Sequence, residues 1–237
     1  MQSSSAITRL LMIDDQVIAA STKSGLISFW NWSMREKIAE FQAHDSDITG
    51  MLLIQQNTLV TCSWDCKIKL WSISDGALQQ KIEAHSDRIN AIDRIDDNLI
   101  VSAGKDYKIK IWDIQKSQSL IELNGHVEEI TKIIYLNEQQ IASADRSGKI
   151  LVWNYKKKEI LHEIELHTDL VSSLLRINSN VFASCSHDGT IGIFDPRDGQ
   201  ILHHLKNGHS AFISNLNITF ESQLVSLGMD KRIVVWK

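Results

Sequence analysis

The sequence predicts an all-β fold, a β-propeller of six blades, and three observations carry that expectation. An aromatic residue recurs at one spacing, a histidine recurs in phase with it, and short apolar stretches alternate between them. Trp30, Trp71, Trp112 and Trp153 stand 41 residues apart, Phe194 follows after another 41, and Trp236 after 42. His44, His85, His126 and His167 keep the same interval, and His209 follows. Each of these histidines precedes its aromatic partner by 27 residues. Two series held in phase over five units mark a tandem repeat. The one length change falls near Asp198-Gly199, where a turn absorbs an extra residue.

Each unit reads as four short strands. The first opens with Ile48, Ile89, Ile130, Val171 or Ile213. The second covers stretches such as 98–102 and 181–184. The third holds the aromatic marker, preceded by apolar residues three and one positions earlier: Ile27/Phe29, Ile68/Leu70, Ile109/Ile111, Ile150/Val152, Ile191/Ile193 and Ile233/Val235. Alternation places each pair on one face and the marker on the other, so these strands need cover on both faces. A turn and a fourth apolar-polar stretch follow, as in 37–41 and 160–166. No sustained 3.6-residue period interrupts the pattern. Four strands per ~40 residues is the pattern of propeller blades.

Composition narrows the function classes. The chain has 237 residues, a formal charge of −4, 43% apolar and 23% charged residues. That is globular composition, without the charge excess of a nucleic-acid binder. No apolar run approaches the roughly 20 residues that span a bilayer. The N-terminus has neither a basic segment nor an apolar one of secretory type. Cys62, Cys66 and Cys185 are an odd, sparse set that suits free thiols in a reducing compartment. The expectation is a cytoplasmic protein, with the nucleus as the second compartment. No Pro/Gly/Ser-rich linker divides the chain, so a single domain is expected over 1–237, with blades near 1–43, 44–84, 85–125, 126–166, 167–208 and an incomplete 209–237.

Units such as AHSDRI…SAGKDYKIKIWD and GHVEEI…SADRSGKILVWN resemble the WD-repeat β-propeller family over essentially the whole chain. The resemblance implies a buried tetrad of histidine, strand serine or threonine, turn aspartate and strand tryptophan in each blade. Three sets match completely: His44, Thr61, Asp65, Trp71; His85, Ser102, Asp106, Trp112; and His209, Ser226, Asp230, Trp236. His167, Ser184 and Asp188 lack only the tryptophan, which is Phe194. His126, Ser143 and Trp153 have Ser147 at the aspartate position. The first unit keeps Trp30 alone, with Ala20 and Ser24 in place of polar members and Ser3 at the histidine position.

A Ser-His-Asp set repeated blade by blade points away from catalysis, because a catalytic triad is a single constellation with an exposed nucleophile and an oxyanion hole. Phosphate-loop, HExxH and GxSxG motifs are absent. Cys62 and Cys66 have no second ligand pair at zinc spacing. No enzyme activity, cofactor or metal is expected.

Protein partners are what the family resemblance implies, bound on the top face by the d–a and b–c loops. The residues before the turn aspartates would point there: Lys23, Trp64, Lys105, Arg146, His187 and Met229. The residues opening the first strands would join them: Asp47, Arg88, Glu129, Leu170 and Phe212, followed two positions later by Thr49, Asn90, Thr131, Ser172 and Ser214. Arg88, Lys105 and Arg146 suggest a cationic arc, with Trp64, Leu170, Phe212 and Met229 as apolar anchors beside His187. Arginine pairs carboxylates and phosphates in two-point fashion, so acidic or phosphorylated peptide segments are the expected ligands. No nucleic acid and no membrane insertion are expected.

The last unit shows strands near 213–219, 223–227 and 232–236 and no fourth. The register leaves no room for that strand ahead of Ile7. Three explanations stay open: a longer parent protein, a three-stranded last blade, or a strand donor that completes the edge. The functional expectation is a non-catalytic scaffold or recognition subunit of a multiprotein complex. Two alternatives stand beside it. Phe194-Asp195-Pro196-Arg197 is similar to the Trp-Asp-x-Arg element of WD-repeat substrate receptors for cullin ubiquitin ligases, with phenylalanine replacing tryptophan. The other is an architectural subunit docked through the open edge of the last blade.

Overall fold

The computed structural model describes residues 5–55 and 57–236, and among them 23 strands form six antiparallel sheets. Blade 1 comprises β1 (Ile7–Met12), β2 (Val17–Thr22), β3 (Leu26–Asn31) and β4 (Glu36–Gln42). Blade 2 comprises β5 (Ile48–Ile54), β6 (Thr58–Ser63), β7 (Lys67–Ser72) and β8 (Leu78–Glu83). Blade 3 has β9 (Ile89–Arg94), β10 (Leu99–Gly104), β11 (Lys108–Asp113) and β12 (Gln118–Asn124). Blade 4 has β13 (Ile130–Asn137), β14 (Gln140–Asp145), β15 (Lys149–Asn154) and β16 (Glu159–Glu165). Blade 5 has β17 (Val171–Arg176), β18 (Phe182–Ser186), β19 (Ile191–Asp195) and β20 (Gln200–Leu205). Blade 6 has only β21 (Ile213–Ile218), β22 (Leu224–Gly228) and β23 (Ile233–Trp236). Ser3 lies outside the described residues.

Burial follows residue type. The β-branched second and third strands are buried almost throughout, as in β6 and β15, whereas the fourth strands alternate weakly and face solvent. The turn between second and third strands needs one residue in the left-handed region. Gly25, Gly148 and Gly189 meet that need without strain, while Cys66, Tyr107 and Lys231 adopt φ of 68°, 66° and 65° at the same place. At Gly25 a Cβ would stand 1.9 Å from the His44 carbonyl oxygen, so only glycine fits there.

Contacts divide the chain into two compact units, Met1–Leu120 and Ile121–Lys237, with the boundary inside β12. In the first unit, one core packs Ile27, Phe29, Ile48, Leu59 and Trp71 between blades 1 and 2. A second packs Ile54, Leu70, Ile82, Ile100 and Trp112 between blades 2 and 3. In the second unit, Leu136, Val152, Ile164, Phe182 and Phe194 join blades 4 and 5, and Ala183, Ile191, Ile213 and Leu216 join blades 5 and 6.

Blade 6 departs from the pattern. Ile27, Ile68, Ile109, Ile150 and Ile191 are buried, but their counterpart Ile233 is 71% exposed. Cover on both faces of that strand was expected for Ile233 and Val235. Ile27, Ile68, Ile150 and Ile191 are covered by the blade that follows theirs in the chain, and no blade follows blade 6 among the described residues.

Candidate functional site

The loop ends of the blades are held by the buried polar sets. In blade 2, His44 Nδ1 lies 2.8 Å from Asp65 and its Nε2 2.7 Å from Thr61 Oγ1, which also accepts the Trp71 indole N–H at 3.0 Å. Blade 3 repeats this with His85, Asp106, Ser102 and Trp112 at 2.7–2.9 Å. Blade 6 repeats it with His209, Asp230, Ser226 and Trp236. The proton count closes for a neutral imidazole. Nδ1–H donates to the carboxylate, the hydroxyl donates to Nε2, and the indole donates to the hydroxyl oxygen. Burial holds the His44 and His167 imidazoles below the ordinary histidine range, against the pull of Asp65 and Asp188. Burial pushes Asp65 upward, but the bond from His44 and the backbone N–H groups of Asp45 and Lys67 outweigh it and bring Asp65 down to about 2.

The carboxylates connect two loops. Asp65 accepts the amide of Asp45 in the d–a loop and that of Lys67 in the b–c turn. Asp106, Asp188 and Asp230 make the same two contacts. Each set therefore ties together the two loops that build a blade's exposed end.

Three blades solve the problem differently. In blade 4, Ser147 is not the partner of His126. Asp145, two residues earlier at the end of β14, supplies the carboxylate at 2.7 Å, and Ser147 Oγ donates to it at 2.6 Å. The visible signal was the Ala-Asp-Arg-Ser-Gly order, with an aspartate two positions ahead of the usual place. Ser143 still bridges His126 and Trp153 at 2.7 and 2.8 Å. In blade 5, His167 Nδ1 is shared between Asp188 at 3.3 Å and Thr190 Oγ1 at 3.0 Å, and Ser184 contacts Nε2 at 2.8 Å. Phe194 stacks on Phe182 with ring centroids 6.3 Å apart. In blade 1, Trp30 donates to Ser28 Oγ at 2.8 Å.

At each loop end, the residue before the turn aspartate is stapled to the residue that opens the first strand. The amides of Trp64, Lys105, Arg146, His187 and Met229 donate to the carbonyls of Asp47, Arg88, Glu129, Leu170 and Phe212 at 2.8–3.0 Å. Lys23 donates likewise to Ala6. Backbone bonds thus pair the side chains named from the sequence, two per blade.

Within the first unit, the Arg88 guanidinium lies over the Trp64 ring, 4.4 Å from its centroid, and Trp64 Nε1 donates to Asn90 at 3.1 Å. Lys105 faces Asp87 at 3.8 Å in solvent. Within the second unit, Arg146 faces Glu129 at 3.9 Å, and His187 stacks on Phe212 with centroids 4.6 Å apart and planes 7° off parallel. Met229 is exposed and Leu170 half-buried. Lys105 and Arg146 thus stand beside carboxylates, at distances where exposed pairs contribute little.

The polar residues two positions after the strand openers do other work. Thr49 Oγ1 donates to the Ile89 carbonyl at 2.7 Å, Thr131 to Val171 at 2.6 Å, and Ser172 to Ile213 at 2.5 Å. Each clasps its blade to the first strand of the next, a role that a sequence read one blade at a time cannot show.

The remaining candidates are occupied locally. Arg197 folds back on Asp195, with Nη2 at 2.6 Å and Nε at 3.0 Å, and its amide caps the same carboxylate. Asp113 makes the equivalent turn with Gln115 and Lys116, so the Phe-Asp-Pro-Arg element has the geometry of an ordinary c–d turn here. Lys156, Lys157 and Lys158 are exposed in another such turn. Burial pushes the thiols of Cys62 and Cys185 up, to about 12 and about 11.

Sequence comparison supports the repeat directly. The model of the WD domain, G-beta repeat, matches residues 35–72, 76–113 and 158–195. The chain is a WD-repeat protein. Each match runs from the fourth strand of one blade to the third strand of the next, so the WD repeat couples neighbouring blades. The crystal structure of the computationally designed Ika8 protein is similar over 99% of this chain and 71% of its own, at 27% identity and a TM-score of 0.85. No curated protein sequence matches. The WD-repeat chain is all-β with six blades, and WD40 propellers generally act as protein-interaction scaffolds and are typically non-enzymatic. Among the described residues, no helix is long and apolar enough to cross a membrane.

Proposed function

We propose that this WD-repeat chain is a non-catalytic recognition subunit, and that Trp64, Arg88 and Lys105 bind an acidic or phosphorylated peptide segment of a partner protein. The observation that carries this is the Arg88 guanidinium stacked on Trp64 at an exposed loop end. Stacking orients the guanidinium while leaving its N–H edge for an oxyanion, and the indole offers an apolar surface beside it. Leu170, His187, Phe212 and Met229 form an apolar loop end on the second unit, with Arg146 as its cation, and serve as its own contact area. Trp and Arg are the residue types most enriched at interaction hot spots.

Affinity capture with wild type beside a folded Trp64→Ala/Arg88→Glu variant tests this. Loss of a defined set of proteins from the variant, with recovery of binding by an acidic or phosphorylated peptide from one of them, is the expected result. Unchanged capture removes these residues from the binding role.

A second contact area has its own observation. The outer edge of β23 is unpaired among the described residues and shows Ile233 and Val235. Opposite Ile27, Ile68, Ile150 and Ile191 the outer strands place Phe41, Ile82, Ile164 and Leu205. A strand that completes blade 6 therefore carries a large apolar residue opposite Ile233. Amide exchange of 233–235 should slow on partner binding, and unchanged exchange rejects strand addition.

A further inference from the structure

The repeat makes each junction between blades a control for the others, and the junction between blades 1 and 2 differs. Between blades 2 and 3, Ile54, Leu70, Ile82 and Ile114 are buried in the core. Their equivalents between blades 1 and 2, 41 residues earlier, are Ile13, Phe29, Phe41 and Ile73. Here Ile13, Phe41 and Ile73 are only half-buried, and they line a cleft of about 510 Å³ within the first unit.

Specific substitutions keep it open. Gln80 accepts a bond from Ser117 Oγ at 2.9 Å and so bridges to the turn of the next blade, and in blade 4 His162 Nε2 donates to the Arg197 carbonyl at 3.1 Å across the equivalent gap. The same position in blade 1 is Ala39, which has no reach, and the turn opposite carries Gly76. Ile38 stands where the next blade has Gln79, and it is 54% exposed at the cleft wall.

Charge is changed as well. Asp14, Glu40 and Asp75 rim the cleft, and all three are exposed. The corresponding residues at the next junction are Gln55, Lys81 and Lys116. Among the described residues that line the cleft there is no lysine or arginine, and Lys37 pairs with Glu40 at 3.1 Å from the same strand.

We propose that this cleft docks a peptide segment of a partner protein in which a bulky apolar side chain is flanked by lysine or arginine. The apolar residue enters between Phe41, Ile38 and Ile73, and the flanking cations meet Asp14, Glu40 and Asp75. This surface is separate from the loop-end residues of the proposed recognition site and carries the opposite charge preference.

The test uses a random phage-displayed peptide library panned on the full chain. Selected peptides are then measured by fluorescence polarisation on wild type, on Ala39→Gln/Asp75→Lys, and on Trp64→Ala/Arg88→Glu. The first variant copies residues that the next junction already carries, so folding is expected, and a melting curve checks it; Asp75→Asn alone serves if that variant unfolds. The expected outcome is a family of peptides with an aromatic or large aliphatic residue between basic ones. Their affinity should fall about tenfold or more in Ala39→Gln/Asp75→Lys, hold in Trp64→Ala/Arg88→Glu, and weaken with added salt. Peptides without that signature, or equal binding to both the wild type and the cleft variant, overturn the assignment. So does self-association of the wild type that the cleft variant abolishes, because the occupant is then a second copy of the chain. Peptides lost only in Trp64→Ala/Arg88→Glu leave the loop-end site standing and refute the cleft.

Discussion

Blades 1 and 4 meet the same requirement by opposite means. Both bury a tryptophan-bearing third strand whose indole N–H needs an acceptor. Blade 4 keeps the histidine network by drawing its carboxylate from Asp145 instead of the usual position. Blade 1 has no such network among its described residues, and Trp30 turns to Ser28 on its own strand. The difference teaches that the repeat conserves satisfaction of buried polar atoms, not the identity of each partner. No buried side-chain nitrogen or oxygen of the described residues is left without a hydrogen bond.

The largest effect that sharpens this contrast is expected in blade 4. Asp145→Ala leaves the His126 Nδ1–H and the amides of Ser147 and Lys149 without their acceptor in a site where both side chains are fully buried. Denaturant titration should show a loss of about 3 kcal/mol. Should Ser147→Ala cost as much and Asp145→Ala little, the assignment of Asp145 is wrong.

The next comparison sets blade 2 against blade 1. Thr61→Ala removes the shared partner of His44 and Trp71 and should cost about 2 kcal/mol. Ser28→Ala removes one acceptor from a half-exposed indole that can turn to water, and should cost less than ~1 kcal/mol. Equal losses in thermal melts of the two variants would break the contrast.

Acid separates the blades through their protons. His44 and His167 are bases held below their unfolded values, so the unfolded chain takes up more protons as pH falls below about 6.5. Their contribution is intact above that value and is lost as pH falls. Asp65 is an acid held down at about 2, so its contribution is present above its unfolded value near 3.8 and is lost between there and about 2. Melting temperature should therefore drop in two stages on acidification. A profile flat from pH 7 to 5 would show the imidazoles taking up protons as readily in the folded chain as in the unfolded one.

The smallest effect concerns the left-handed turn position. Tyr107→Gly should stabilise by less than ~1 kcal/mol, because relief of the strained φ exceeds the added chain entropy of glycine. Gly148→Ala should destabilise, since its Cβ would stand 2.5 Å from the His167 carbonyl. A lower melting temperature for Tyr107→Gly would show that the tyrosine ring contributes more than its backbone costs.

Much of the fold was legible in the residues themselves. The strand marker, the histidine in phase and the paired apolar positions repeat because each blade buries the same faces, and periodicity is a local property that a sequence carries openly. His44, Thr61, Asp65 and Trp71 could be named as one set before any geometry because the units resemble WD repeats, whose tetrad that resemblance implies. What only the tertiary structure decided depends on neighbours brought together from different blades. Thr49 bonds Ile89 forty residues away, Asp145 takes the place expected for Ser147, and Arg88 reaches the Trp64 ring of the preceding blade. The half-open cleft at Ala39 and Phe41 emerges in the same way, from side chains too short to cross a gap that other junctions close. Packing across blades depends on shape and reach between residues distant in sequence, and a periodic pattern records only that a position is apolar.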